Sequence, residues 1–106
     1  MAFSSDGPVI GDANPLLGLQ SAVLRRTRSC RVIAPEQAIA VEQALWAFTV
    51  GSAIVNGEAH RLGRIAPGYL ADLAVLSGDP LTVPIERLLE IQVEQTWLDG
   101  ALAFEC

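Results

Sequence analysis

The side chains able to do chemistry are few and scattered. Asp6 stands in Ser4-Ser5-Asp6-Gly7-Pro8-Val9, a polar loop in which Gly and Pro force a turn directly after a carboxylate. A carboxylate in that position can take a proton from an attacking water and return it to a leaving group. A loop aspartate is also a common turn former that bonds its own backbone, so the residue alone decides nothing. His60, the sole histidine, falls among Glu58, Arg61 and Gly63 and reads as a solvated loop residue, because a metal site needs companions. Cys30 and Cys106 lie far apart with no CxxC or Cys/His spacing, so both read as ordinary thiols rather than zinc ligands or a disulfide. Four of the seven basic residues, Arg25, Arg26, Arg28 and Arg31, crowd one short segment, and lysine is absent. The plain reading is a helix C-terminus whose cations complement the dipole; a phosphate or nucleic-acid role is the competing one.

Charge and composition narrow the classes. A net charge of -5 and a pI near 4.6 argue against general nucleic-acid binding, which needs concentrated positive charge. Hydrophobic residues make up 51% and charged residues 18%, a globular balance, and no apolar run is long enough to span a bilayer. Met1 to Phe3 carries no basic region or apolar signal core, which sets a cytoplasmic expectation. At 106 residues the chain is expected to form a single α+β domain, two main helices followed by a small antiparallel or mixed sheet.

The elements that must position these residues follow from local signals. Asn14 as N-cap and Pro15 at the first helical position start a helix that is expected to run to about Thr27 on a stripe of Leu16, Leu19, Val23 and Leu24. Pro35-Glu36-Gln37 suggests one short helical turn. The longest helical pattern covers Val41 to Val55, with Val41, Ala44, Leu45, Phe48 and Ser52 at helical spacing and Asn56-Gly57 as the stop. Its start is weak, because Ala40 offers no side-chain acceptor as a cap. Trp46 lies off that stripe and requires a cover.

The second half turns to strands. Arg64-Ile65 is expected as a short strand and Leu73 to Leu76 as a longer one buried on both faces, separated by a turn at Ala66-Pro67-Gly68. Ile85 to Leu89 suggests a helical turn. Ile91, Val93 and Trp97 alternate with polar residues, and Asp99-Gly100 signals a two-residue hairpin into Ala101 to Glu105. Pairing across that turn sets Trp97 opposite Leu102 and Gln95 opposite Phe104, giving a largely apolar face to pack under the Leu73 strand.

The order of these words carries a resemblance. Gly63-x-Ile65-x-x-Gly68-x-x-Ala71-Asp72-Leu73-x-Val75-Leu76, then Asp79-Pro80, Val93, Thr96 and Asp99-Gly100, follow Ser5-Asp6-x-Pro8-Val9, Asn14-Pro15-Leu16, Ala44-Leu45 and Thr49. Over nearly the whole chain this resembles the C-terminal end of the amidohydrolase superfamily, in the family 3 group that includes N-acyl-D-amino-acid deacylases and formamide deformylases. Tyr69 stands where that family commonly has Lys, and Ala40 where it has a Ser or Thr cap.

The resemblance implies the end of a metal-bearing (β/α)8 barrel in residues 1–57 and the last part of a β-sandwich in residues 58–106. It implies that Asp6 closes the eighth strand as metal ligand and general base, and that Gly63, Gly68, Asp72, Asp99 and Gly100 are structural. The family's cofactor is zinc or another divalent metal. Its other ligands, a His-x-His pair, a bridging lysine or glutamate and two later histidines, have no counterpart here, and one aspartate cannot assemble a catalytic metal site. The expectation is therefore a C-terminal fragment or truncated descendant of a metal-dependent hydrolase of non-peptide C-N bonds, inactive and metal-free alone. The alternative is a non-catalytic oligomeric binding module. Partners are expected to be a complementing barrel fragment or further copies covering sheet edges and the Trp46 and Trp97 surfaces, with no nucleic acid and no membrane.

Overall fold

A computed structural model describes residues 1–5 and 13–106. The helical half comes first. Helix α1 spans Pro15–Leu24, opened by Asn14, whose Oδ1 accepts from the Leu16 amide at 3.0 Å. It stops three residues short of the expected Thr27, because Arg25 turns into the left-handed region at φ 49° with its amide on the Ser21 carbonyl. The arginines therefore do not sit in the last turn of the helix. Residues 25–33 fold back as a small hairpin, with Arg26 bridged to Val32, the Ile33 amide on the Arg25 carbonyl and the Thr27 amide on the Arg31 carbonyl. A 3-10 turn follows at Pro35–Gln37.

The second helix covers the expected residues but is not uniform. It runs as α2, Val41–Trp46, then a π-helical segment, Ala47–Gly51, then α3, Ser52–Val55. Its weak N-cap is partly repaired by Gln43, whose Oε1 accepts from the Ala40 amide at 3.0 Å, half of a capping box. The stop is a Schellman motif: Gly57 at φ 73° bonds Ile54, and the Glu58 amide bonds Ala53.

Three strands form one antiparallel sheet in the order β1 (Leu73–Leu76), β2 (Val93–Leu98), β3 (Ala101–Glu105). Asp99 at φ 49° and Gly100 at φ 76° make the expected hairpin turn, the left-handed pair that matches strand twist. Four expectations for this half are corrected. Arg64-Ile65 forms no strand, and Ile65 is 90% exposed. Strand β1 is not buried on both faces; Ala74 and Val75 are exposed. It also does not lie over the hairpin but joins the same sheet beside β2, with Leu73 opposite Trp97. Trp97 does face Leu102, but a bulge between Thr96 and Trp97 moves Phe104 opposite Thr96 and leaves Gln95 opposite Glu105. The polar pair explains the shift: Gln95 donates through Nε2 to Glu105 at 2.8 Å and accepts from Trp97 Nε1 at 3.0 Å, satisfying the indole.

The core sits in the helical half rather than under the sheet. Leu16, Leu19, Ala44, Leu88 and Ile91 are buried together, the last two from the 3-10 helix Ile85–Glu90 and the residue after it. Gln20 fastens that helix to α1 by donating to the Ile85 carbonyl at 2.9 Å. From the sheet only Leu76 reaches this cluster, while Val75, Leu98, Leu102 and Phe104 stay exposed. No helix among the described residues is long and apolar enough to cross a membrane.

Candidate functional site

The residue with the best claim to chemistry, Asp6, lies outside the described residues, as do Gly7, Pro8, Val9 and Asp12. What the structure does describe is how the chain leading into it is held. A π segment in a helix leaves a carbonyl out of the regular ladder, free for another donor. Here the Phe3 amide reaches across and donates to the Ala47 carbonyl at 3.0 Å. Ser52 Oγ sits between the two chains, 2.8 Å from the Phe3 carbonyl and 3.0 Å from that of Ala47. The Phe3 ring meets Phe48 edge-on at 5.2 Å, and the Phe48 ring lies directly on Gly18 of α1. Gly51 completes the seat: a Cβ there would fall 2.2 Å from the Met1 carbonyl. The N-terminal segment is thus clamped in register on the helix three residues before Asp6. Sequence periodicity could not reveal this, because the contact to the π segment comes from Phe3, far away in the chain.

The residues expected to be structural are placed as follows. Gly63, at φ 90°, presses on the second helix, with Thr49 O and Val50 Cα 3.0 Å from where a Cβ would stand. Gly68, at φ 87°, turns in open space. Asp72 accepts the Asp99 amide at 2.8 Å, and the neighbouring Ala71 carbonyl accepts the Gly100 amide at 3.1 Å. The Ala71-Asp72 pair therefore grips the β2–β3 turn, 27 residues away in sequence. Between the second helix and β1 opens a cleft of about 520 Å³, lined on its apolar side by Leu45, Phe48, Leu73 and Leu76.

His60 is exposed, and both Cys30 and Cys106 are exposed free thiols. The nearest charged pair is Glu58 with Arg61; the hydrogen bond from Arg61 holds the Glu58 carboxyl below its usual value. Glu90 is lowered in the same way by Arg87, whose Nη2 lies 2.7 Å from it. Among the described residues no three His, Cys, Asp or Glu side chains gather into a group that could hold a metal ion. The donors described here do not fit such a centre unaided, since about three protein ligands are required.

A sequence profile of the amidohydrolase family matches residues 1–104. The chain belongs to the amidohydrolase family. Among curated relatives of this amidohydrolase-family chain, the Bacillus subtilis (strain 168) protein YtcJ is 36% identical over 107 aligned positions, covering 98% of this chain and 20% of YtcJ. The N-substituted formamide deformylase of Arthrobacter pascens is 32% identical over 105 positions, covering 99% of this chain and 19% of that enzyme. The crystal structure of an amidohydrolase from Thermotoga maritima MSB8 superposes with a TM-score of 0.72 at 28% identity, over 99% of this chain and 23% of that one. The chain thus spans about a fifth of the length of these two curated relatives.

Proposed function

We infer that these residues supply the closing part of a metal-dependent hydrolase of non-peptide C-N bonds and do not hydrolyse substrate by themselves. Residues 1–57 serve as the end of the catalytic barrel and residues 58–106 as part of its flanking sandwich. Asp6 is the carboxylate that takes the proton of the attacking water and passes it to the departing amine. The observation that carries this reading is the coverage: residues 1–104 match the family profile while spanning a fifth of each relative. One histidine and no lysine in 106 residues is consistent with ligands contributed from elsewhere. The seat for Phe3 on Ala47 and Ser52 adds a mechanical reason, because it fixes the chain three residues before Asp6. N-substituted formamides, the substrates named for the Arthrobacter relative, are the first compounds to try.

Metal content provides the test. Zinc should not copurify with the chain alone. Mixed with a family 3 amidohydrolase from which the matching stretch has been removed, it should take up zinc, and Asp6→Asn should lower that uptake. Stoichiometric zinc on the chain alone would overturn the reading.

A second reading is favoured by one observation. Every residue of β3 is exposed, Leu102 by 46% and Phe104 by 50%, and Trp46 is 42% exposed. An edge strand with apolar side chains recruits another chain. On this reading the protein is a non-catalytic module that assembles with copies of itself; light scattering showing a monomer at high concentration would exclude it.

A further inference from the structure

We propose that the hairpin after α1 is a binding site for the oxyanion group, carboxylate or phosphate, of a small molecule, with Arg25 and Arg26 as its donors. The proposal stands apart from the hydrolase reading, since it concerns residues that reading leaves without a role. Charge is strictly segregated here. None of the 12 acidic residues falls between Asn14 and Pro35, while four of the seven arginines do. Among the described residues the ion pairs are Arg61 with Glu58 and Arg87 with Glu90, and none involves the hairpin arginines.

The hairpin that carries these cations is built at a backbone cost. Arg25, Cys30 and Ala34 all hold left-handed φ angles, 49°, 63° and 46°, which side-chain-bearing residues adopt at roughly 1–2 kcal/mol each. Arg25 is half-buried, and its Nε donates to the Ile33 carbonyl at 3.2 Å, which orients the guanidinium and leaves its two terminal nitrogens uncommitted. Ser21, Arg25, Arg26, Thr27 and Ile33 line an open surface concavity of about 160 Å³. A concavity of that size has room for a carboxylate or phosphate group. The Ser21 hydroxyl donates to the Leu17 carbonyl, and the Thr27 hydroxyl is shared with Ser29 and accepts the Arg31 amide, so the donors left for an oxyanion are guanidinium nitrogens, which suit such a group in charge and hydrogen-bonding. Arg28 and Arg31 lie on the exposed turn of the hairpin and do not line the pocket.

Titration of the 106-residue chain with inorganic phosphate and, separately, with acetate at fixed ionic strength, followed by amide and arginine Nε shifts in nitrogen-15 NMR, tests this. Saturating shifts confined to Ser21 and residues 25–33 are expected. Arg26→Gln, at an exposed side chain, should weaken binding about tenfold, the loss of one charge-assisted hydrogen bond, and Arg28→Gln should leave it unchanged. Saturation by phosphate alone assigns a phosphoryl ligand, and saturation by acetate a carboxylate. Shifts that grow linearly, that spread equally to Arg61 and Arg87, or that saturate with undiminished affinity in Arg26→Gln would overturn the proposal.

Discussion

Replacing Gly63 by alanine should destabilise the fold more than any other single glycine substitution in the turn region. Two effects add. The backbone at φ 90° disfavours any Cβ, by roughly 1–2 kcal/mol. The new methyl would also stand 3.0 Å from Thr49 O and Val50 Cα and 3.1 Å from Ala53 Cβ. Two of those neighbours are helix backbone and cannot swing aside, and overpacking of this kind costs about 1–3 kcal/mol. The total, about 2–5 kcal/mol, is a large share of the ~5–15 kcal/mol that holds a domain of this size. Gly68 is the internal control: its φ of 87° is nearly the same, yet nothing lies within 4 Å of its would-be Cβ. Gly68→Ala should therefore lose only the backbone component. Urea unfolding of both variants, read by tryptophan fluorescence, isolates the contact as a difference of about 1–3 kcal/mol. Equal midpoints for the two would show that the loop does not press on the second helix, and the placement of Gly63 would be refuted.

Removing the carboxylate in Asp72→Ala should cost about 1 kcal/mol and speed hydrogen exchange at the Asp99 amide, while Asp72→Asn, which keeps an acceptor, should retain most of the protection. Cys30→Gly should stabilise by about 0.5–1 kcal/mol in thermal melts, because relief of the left-handed φ of 63° outweighs the added freedom of the unfolded chain. The pH dependence follows from Glu58 and Glu90, both lowered chiefly by hydrogen bonds from Arg61 and Arg87. Because their folded values lie below the ordinary 4.5, their contribution is complete above that value and is lost as pH falls through the folded ones. The melting midpoint should be level near neutrality and drop below pH 4.5, with a shallower drop in the double variant Glu58→Gln/Glu90→Gln. Both pairs are exposed, so the effect should be small and weaken in salt.

Local chemistry was the legible part of the sequence. Asn14-Pro15, Asn56-Gly57 and Asp99-Gly100 each name a backbone geometry that few other residues adopt, and each marks a boundary in the structure. The arginine segment misled because four cations after a helical stripe suit a helix end, whereas Arg25 itself breaks the helix by turning left-handed. The π segment was hidden because its partner is distant in sequence: the Phe3 amide occupies the Ala47 carbonyl, and Ser52 donates back to the Phe3 carbonyl across 49 residues. The apolar run of β1 suggested burial on both faces, but hydrophobicity records what a strand can bury, and the sheet offers cover only at Leu73 and Leu76. For the candidate site, Asp6 was singled out only by the order of words around it, and it lies outside the described residues. A lone aspartate before Gly-Pro is indistinguishable from a turn former.

The central claim is that this chain completes a hydrolase through Asp6. Its most direct test is the hydrolysis of N-substituted formamides by the chain mixed with a family 3 amidohydrolase lacking the matching stretch. Neither component should act alone, the mixture should release formate, and Asp6→Asn should abolish release without changing the melting midpoint of the chain. Formate release by the chain on its own, or undiminished release with Asp6→Asn, would contradict the account.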